Sequence, residues 1–130
     1  MMKVANPEYC TEIFTDACTT GYGAVCGKEW FAGTWSISEE TDAHRQERDS
    51  IPWKELHTVV RAADTWGKLW AGKRILLHCD CEPAVLAWRK GDSRNAAIAS
   101  LIRTLMFITP THDFTINRHY SHSWCEQCLC

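Results

Sequence analysis

The chain has no apolar run approaching the roughly 18 residues that a membrane-spanning helix needs, so a membrane protein of the helical kind is not expected. Its first eight residues carry no apolar leader core. Together these absences give the expectation of a reduced, intracellular protein, cytoplasmic or nuclear, with no membrane role. Charge of one sign is also lacking. Lys and Arg number 14 against 16 Asp and Glu, a net charge of -2, so no global field recruits nucleic acid and any such role must rest on a local patch. There is no internal repeat and no low-complexity tract, which excludes solenoid and linker architectures. A composition 45% hydrophobic and 23% charged excludes a disordered or fibrous chain. At 130 residues the chain makes one domain that buries about two-thirds of its unfolded surface, enough to fold without staples.

The unusual contents are eight cysteines and seven tryptophans. In a secreted chain so many cysteines would suggest a disulfide scaffold. Here Cys10, Cys18, Cys26, Cys79 and Cys81 sit in apolar, strand-like contexts, where a free cysteine acts as a small hydrophobe. Cys125, Cys128 and Cys130 instead crowd the last six positions.

Residues 9–17, 22–26 and 29–35 read as three short strands joined by tight turns, an antiparallel meander. Residues 36–49 are polar and charged and read as an exposed loop. Ser50 is then a helix N-cap and Pro52 falls in the first turn. Leu56, Val59, Val60, Ala63, Trp66 and Trp70 recur at helical spacing until Gly72. Residues 74–80 contain Ile75-Leu76-Leu77, the continuous apolar run of a strand buried on both faces. Residues 82–90 form a short helix closed by Gly91. Residues 95–107 form another, with Ile98, Leu101, Ile102 and Leu105 on one face. Pro110 breaks the chain, and Phe114-Thr115-Ile116 reads as a last strand. The order βββ-α-β-α-α-β predicts an α/β fold, a mixed sheet with helices packed on it.

Three carboxylates stand at the ends of these elements. Asp16 ends the first strand, Glu55 lies in the first turn of the long helix, and Asp80 terminates the buried fourth strand. Singly, each has an ordinary explanation: a turn-initiating Asp, a favourable charge near a helix N-terminus, and a helix cap. If the first and fourth strands are neighbours, all three converge, and divalent cations relieve their repulsion. Hard oxygen ligands and a phosphate-bearing substrate select Mg²⁺ or Mn²⁺. Two such ions roughly 3.5–4 Å apart can activate water and stabilise the leaving oxygen in phosphodiester cleavage. Lys68, Lys73 and Arg74 near the end of the long helix, and Arg89, Lys90, Arg94 and Arg103 beyond it, are candidate phosphate contacts with Trp88 as an aromatic neighbour. A solvated helical surface explains any one of them equally well.

Residues 14–24 (Phe14-Thr15-Asp16-Ala17-Cys18-Thr19-Thr20-Gly21-Tyr22-Gly23-Ala24) resemble the first-strand signature T-D-A-S-x-x-G-W-G-A of the ribonuclease H domain of retroelement reverse transcriptases, with Cys18 in place of Ser and Tyr22 in place of Trp. Trp35-Ser36, Ile51 and Glu55-Leu56 resemble the family's W-S … I … E-L stretch. Leu77-His78-Cys79-Asp80 with Val85 resembles its D-N-x-x-x-V segment, with Cys81 for Asn. The likeness, strongest to DIRS-like and LTR-retrotransposon elements, runs through most of the chain. It implies a five-stranded ribonuclease H-like sheet over residues 9–118. It also implies two-metal chemistry at Asp16, Glu55 and Asp80, an RNA–DNA hybrid substrate, and a polymerase domain once in the same polyprotein.

The family closes with H-x-P-G-x-x-N-x-x-A-D, whose Asp is a fourth acidic ligand. Residues 119–130 contain His119 but neither Pro-Gly nor a terminal Asp. Legal codons for residues 121–130, shifted by one base, spell His-Ile-Pro-Gly-Val-Asn-Asn-Val-Cys, which recovers most of that motif. The tail therefore reads as a frameshifted remnant that leaves the site incomplete and activity weak. Two other readings stay open. One is a non-catalytic nucleic-acid or protein-binding module on the same fold. The other is a small zinc site from His119, His122, Cys125 and Cys128.

Overall fold

The computed structural model describes residues 11–35, 50–79 and 81–120. Strands β1 (Thr11–Ala17), β2 (Gly21–Cys26) and β3 (Glu29–Thr34) form the antiparallel meander. Helix α1 (Ser50–Trp66) and a single 3₁₀ turn (Gly67–Trp70) lead to β4 (Arg74–Cys79). Helices α2 (Glu82–Lys90) and α3 (Ala96–Thr111) precede β5 (Thr115–Tyr120). The sheet order is β3-β2-β1-β4-β5, with β1–β2 and β2–β3 antiparallel and β1–β4 and β4–β5 parallel. The predicted element order and mixed sheet are both found.

Alternation along the strands divides the sheet into two faces. Ile13, Thr15 and Ala17 of β1 lie in register with Leu77, Cys79 and Tyr22 on the face that α1 covers. Ile13, Leu56, Val59, Ile75, Leu77, Ile102 and Leu105 are all buried there. An aromatic seam finishes this layer. Trp66 lies against Phe31 at 5.3 Å and donates from Nε1 to Glu29 Oε1 at 2.8 Å, and Trp70 meets Phe114 edge-on at 5.2 Å. The indole nitrogen of Trp66 is thus satisfied where its ring is buried, as a buried donor requires. On the other face of β1 and β4, Phe14 stacks on His78 at 4.4 Å and His78 Nε2 lies 2.9 Å from Glu12 Oε1.

Local chemistry explains the helix ends. Asn95 caps α3, its side-chain oxygen accepting from the N–H groups of Ala97 and Ile98. Gly91 closes α2 at φ 80°, a left-handed conformation that favours glycine. Gly33 allows a close approach between strands, because a Cβ there would come within 2.7 Å of the Tyr22 ring.

Three sequence expectations change. Pro110 does not break the chain: α3 continues through it to Thr111. Proline removes only one N–H, and so near the helix end the turn is closed by others. His112 N–H donates to Ile108 at 3.1 Å, Phe114 N–H to Thr109 at 3.0 Å, and the Thr111 hydroxyl to Phe107 at 2.7 Å. Ser50 is already helical, which sets Glu55 in the second turn of α1, not the first. Cys79 and Cys81 are buried as small hydrophobes, but Cys18 and Cys26 are only half-buried. Of the 119–130 tail, His119 and Tyr120 are the last residues of β5 and pair with His78 and Cys79; the rest of that reading, the loop reading for residues 36–49, Tyr9 and Cys10 fall outside the described residues. Among the described residues no helix is long and apolar enough to cross a membrane.

Candidate active site

The site is built where β1 and β4 end. Because β1 pairs with β4 in parallel, Thr15 opposite Cys79, both strands finish on the same side of the sheet. Helix α1 crosses above that end and lowers Glu55 onto it. The Glu55 carboxylate accepts the main-chain N–H of Ala17 at Oε2, 3.1 Å away, and the Cys79 thiol lies 3.7 Å from Oε1. Asp16 precedes Ala17 and belongs to the alternate side-chain set of β1, with Glu12 and Phe14. Asp16 and Glu55 are each only 1% exposed. Opposite Asp16 the register puts Gly23, which adds no side chain beside the carboxylate.

The turn that follows Asp16 is tied down by groups from two other elements. Trp35 Nε1 donates to the carbonyls of Cys18 (3.0 Å) and Gly21 (3.2 Å), and its main-chain N–H donates to Thr20 at 3.4 Å. Lys54 Nζ donates to the Thr19 carbonyl at 3.0 Å and sits 5.5 Å from the centre of the Trp35 ring. Lys54 is 2% exposed, so its ammonium is held by a carbonyl dipole and an aromatic face in place of water. Consecutive carbonyls of one turn thus have fixed donors, and the end of β1 is held rigidly beneath α1. Further along α1, His57 stacks on Trp53 at 4.7 Å and accepts from Arg61 Nε at 3.3 Å, while the Arg61 guanidinium lies 4.5 Å over Tyr22.

Of the three expected carboxylates, Asp16 and Glu55 are brought to one strand end, and Asp80 lies outside the described residues. The donor chemistry of the pair, hard oxygens at a rigid backbone end, suits Mg²⁺ or Mn²⁺ better than a soft metal. Among the described residues no group of three or more His, Cys, Asp or Glu side chains is assembled for a metal. The basic residues lie elsewhere. Lys68 is exposed in the 3₁₀ turn, and Lys73 and Arg74 are exposed at the start of β4, where Arg74 is roughly five residues or 16 Å from the carboxylate end. Arg89 and Lys90 are exposed in the last turn of α2, Arg94 follows in the loop, and Arg103 is exposed on α3.

Sequence reasoning missed the contributions of Lys54 and Cys79. A lysine between Trp53 and Glu55 on a helix reads as solvated, and its burial is decided by a turn 35 residues away. Burial also pushes the Cys26 thiol up from its ordinary value near 9.0, with the charge of Glu29 adding to the effect and Trp70 and Lys73 opposing it.

A five-stranded mixed sheet of this order, with helices α1 to α3, is the ribonuclease H-like fold. No protein-family model matches the sequence, and no curated protein matches it. Solved structures do. The RNase H1 of the halophilic archaeon Halobacterium salinarum NRC-1 matches with a TM-score of 0.61 at 11% identity, over 87% of this chain and 87% of that one. LC11-RNase H1, solved in complex with an RNA/DNA hybrid, matches at 0.63 and 11%, again over 87% of each chain. A foamy viral protease-reverse transcriptase solved in complex with dsDNA matches at 0.56 and 12%, over 92% of this chain and 88% of that one. At such identities the likeness is one of fold.

Proposed function

We propose that this chain is the ribonuclease H-like domain of a retroelement reverse transcriptase, spanning residues 9–118. It engages RNA–DNA hybrids through Asp16, Glu55 and Asp80, and was once joined to a polymerase domain. The observation that supports this best is the Glu55 carboxylate seated on the Ala17 N–H, which joins α1 to the end of β1 directly beside Asp16. Asp16, Glu55 and Asp80 would hold Mg²⁺ or Mn²⁺, and such an ion supplies Lewis acidity and an activated water for phosphodiester hydrolysis. The chain's own contribution is positional. Ala17 N–H and the Cys79 thiol orient Glu55, while Trp35 and Lys54 keep the turn after Asp16 from moving. Exposed Lys73, Arg74, Arg89, Lys90 and Arg94 offer phosphate contacts along a duplex. Residues 121–130, the part of the tail beyond β5, are read as a frameshifted remnant of the family's closing motif, and slow hydrolysis is the expectation on that reading.

A Mg²⁺- or Mn²⁺-dependent cleavage assay on an end-labelled RNA–DNA hybrid tests this reading. Slow cleavage that falls at least about 100-fold in Asp16→Asn is expected, since loss of a metal ligand should exceed the 10–100-fold effect of outer-shell partners. Cleavage indifferent to Asp16 would refute the assignment. A second reading is favoured by the burial of both carboxylates, each 1% exposed, which hinders access by a scissile phosphate. On that reading the domain binds hybrid without cutting it, and binding survives both EDTA and Asp16→Asn. The coding sequence through residues 121–130 tests the tail: codons incompatible with the shifted motif would exclude a frameshift.

A further inference from the structure

The carboxylate that joins α1 to the end of β1 has a sulfur beside it. Glu55 Oε2 is seated on the Ala17 N–H, and Oε1 lies 3.7 Å from Cys79 Sγ. Both side chains lie inside the molecule, Glu55 1% and Cys79 2% exposed. In the sheet Cys79 is opposite the buried Thr15 of β1, so the thiol faces protein in place of bulk water. A thiol so placed packs as a small hydrophobe and donates weakly to the carboxylate. The same pair is also two ligands of different hardness at a fixed separation. In a tetrahedral zinc centre, Zn–S of about 2.3 Å and Zn–O of about 2.0–2.2 Å place the two donor atoms about 3.5–3.7 Å apart. The observed separation of 3.7 Å falls at the upper end of that range.

Hard and soft ions meet this pair differently. Mg²⁺ takes oxygen ligands and dehydrates reluctantly, so it keeps several waters. At Glu55 it meets one oxygen held by an amide, the other facing a thiol, and little access for those waters. Zn²⁺ accepts sulfur and oxygen together and needs fewer ligands. We propose that Cys79 makes this centre select a thiophilic divalent cation: Zn²⁺ is captured between Cys79 and Glu55, excludes Mg²⁺ from Glu55 and inhibits the domain. The thiol gives up its proton to solvent as the Zn–S bond forms, so the ion replaces a proton and nothing is oxidised or reduced. Among the described residues no third His, Cys, Asp or Glu side chain completes the group, which leaves it short of a resident zinc centre. The captured ion is therefore an exchangeable inhibitor, not a structural metal. The inference rests on Glu55 being a metal ligand, as in the function proposed above.

The test uses the full chain carrying Cys125→Ser, Cys128→Ser and Cys130→Ser, which removes the candidate ligands of the tail. Cd²⁺ is the probe, because its bond to a thiolate gives an ultraviolet charge-transfer band that reports the sulfur directly. Titration should give a band that Zn²⁺ displaces, and Cys79→Ala should remove one sulfur's share of it. Glu55→Gln should weaken Cd²⁺ binding at that share at least about tenfold. A thermal melt reports whether Cys79→Ala impairs folding, and Cys79→Ser, closer to cysteine in size, takes its place if so. In the hybrid assay Zn²⁺ should suppress Mg²⁺-supported cleavage, and whatever cleavage the Cys79 variant retains should need at least about tenfold more Zn²⁺ to suppress. No band, a band insensitive to Cys79 or to Glu55, or equal suppression of parent and variant would overturn the proposal, even where Asp16-dependent cleavage upholds the nuclease reading. A band that needs both residues, in a chain that cuts no hybrid, supports the capture while the nuclease reading fails.

Discussion

The end of β1 and the outer flank of α3 depart from the ordinary rule of burial in opposite directions. At the first, a lysine and two carboxylates are almost completely withdrawn from water; at the second, a methionine and a phenylalanine stand largely in it. Stability alone favours neither arrangement. Buried polar groups need partners, and at the strand end the partners are supplied one by one, from Ala17 N–H to the Thr19 carbonyl. On the flank nothing comparable compensates, and the exposed side chains contribute little to the fold. The contrast teaches that the first region is held by specific polar partners, while the exposed side chains of the second add little to the fold.

That contrast can be broken most severely at Trp35. Trp35→Ala should cost about 3–5 kcal/mol, because a ring 8% exposed is deleted together with its hold on the β1–β2 turn. Trp30→Ala, on the neighbouring part of β3 but 71% exposed, should stay within about 0.5 kcal/mol. Urea denaturation of the two variants side by side measures the difference, and equal losses would contradict the buried pin. Trp35→Phe separates packing from hydrogen bonding. It keeps an aromatic ring but removes the donor shared by Cys18 and Gly21, with an expected loss of about 1–3 kcal/mol.

Smaller effects sharpen the comparison elsewhere. Asn95→Ala should cost about 1 kcal/mol by freeing the N–H groups of Ala97 and Ile98, seen as a lower urea midpoint with unchanged slope. The Cys26 thiol gives a pH signature. Its pKa is raised in the folded chain, so its contribution is complete below the ordinary value near 9.0. The contribution is lost as pH rises through the folded value, because the unfolded chain releases its proton first. Denaturation curves between about pH 8 and pH 10.5 should therefore show a loss that Cys26→Ala reduces. Phe107→Ser should be nearly silent, within about 0.5 kcal/mol, because the ring is 70% exposed.

Much of this architecture was legible from local patterns. The apolar run at Ile75-Leu76-Leu77 marks β4, Gly91 marks the end of α2 within a residue, and the order of elements follows from periodicity and turn chemistry. Glu55 was legible as a candidate because it stands near the start of the long helix and, with Leu56, resembles the family's E-L stretch. Its actual seat on Ala17 depends on the packing of α1 across β1, which no local pattern contains. Lys54 was illegible for the same reason: its burial is a property of the turn it meets, not of the helix that carries it. The persistence of α3 through Pro110 was missed because a proline rule written for helix interiors was applied to a last turn, where few intrahelical bonds remain to lose.

The position of β1 has a kinetic consequence. It is the central strand, yet one neighbour is the adjacent β2 and the other is β4, whose first paired residue, Ile75, lies far along the chain from Thr11. During synthesis the three-stranded meander emerges with one edge of β1 bare, and it stays so until helix α1 and β4 have left the ribosome. An apolar strand edge waiting on so distant a partner folds slowly and can be captured by another chain in the interval. For this molecule the hazardous moment is not unfolding but the pause before the fourth strand arrives.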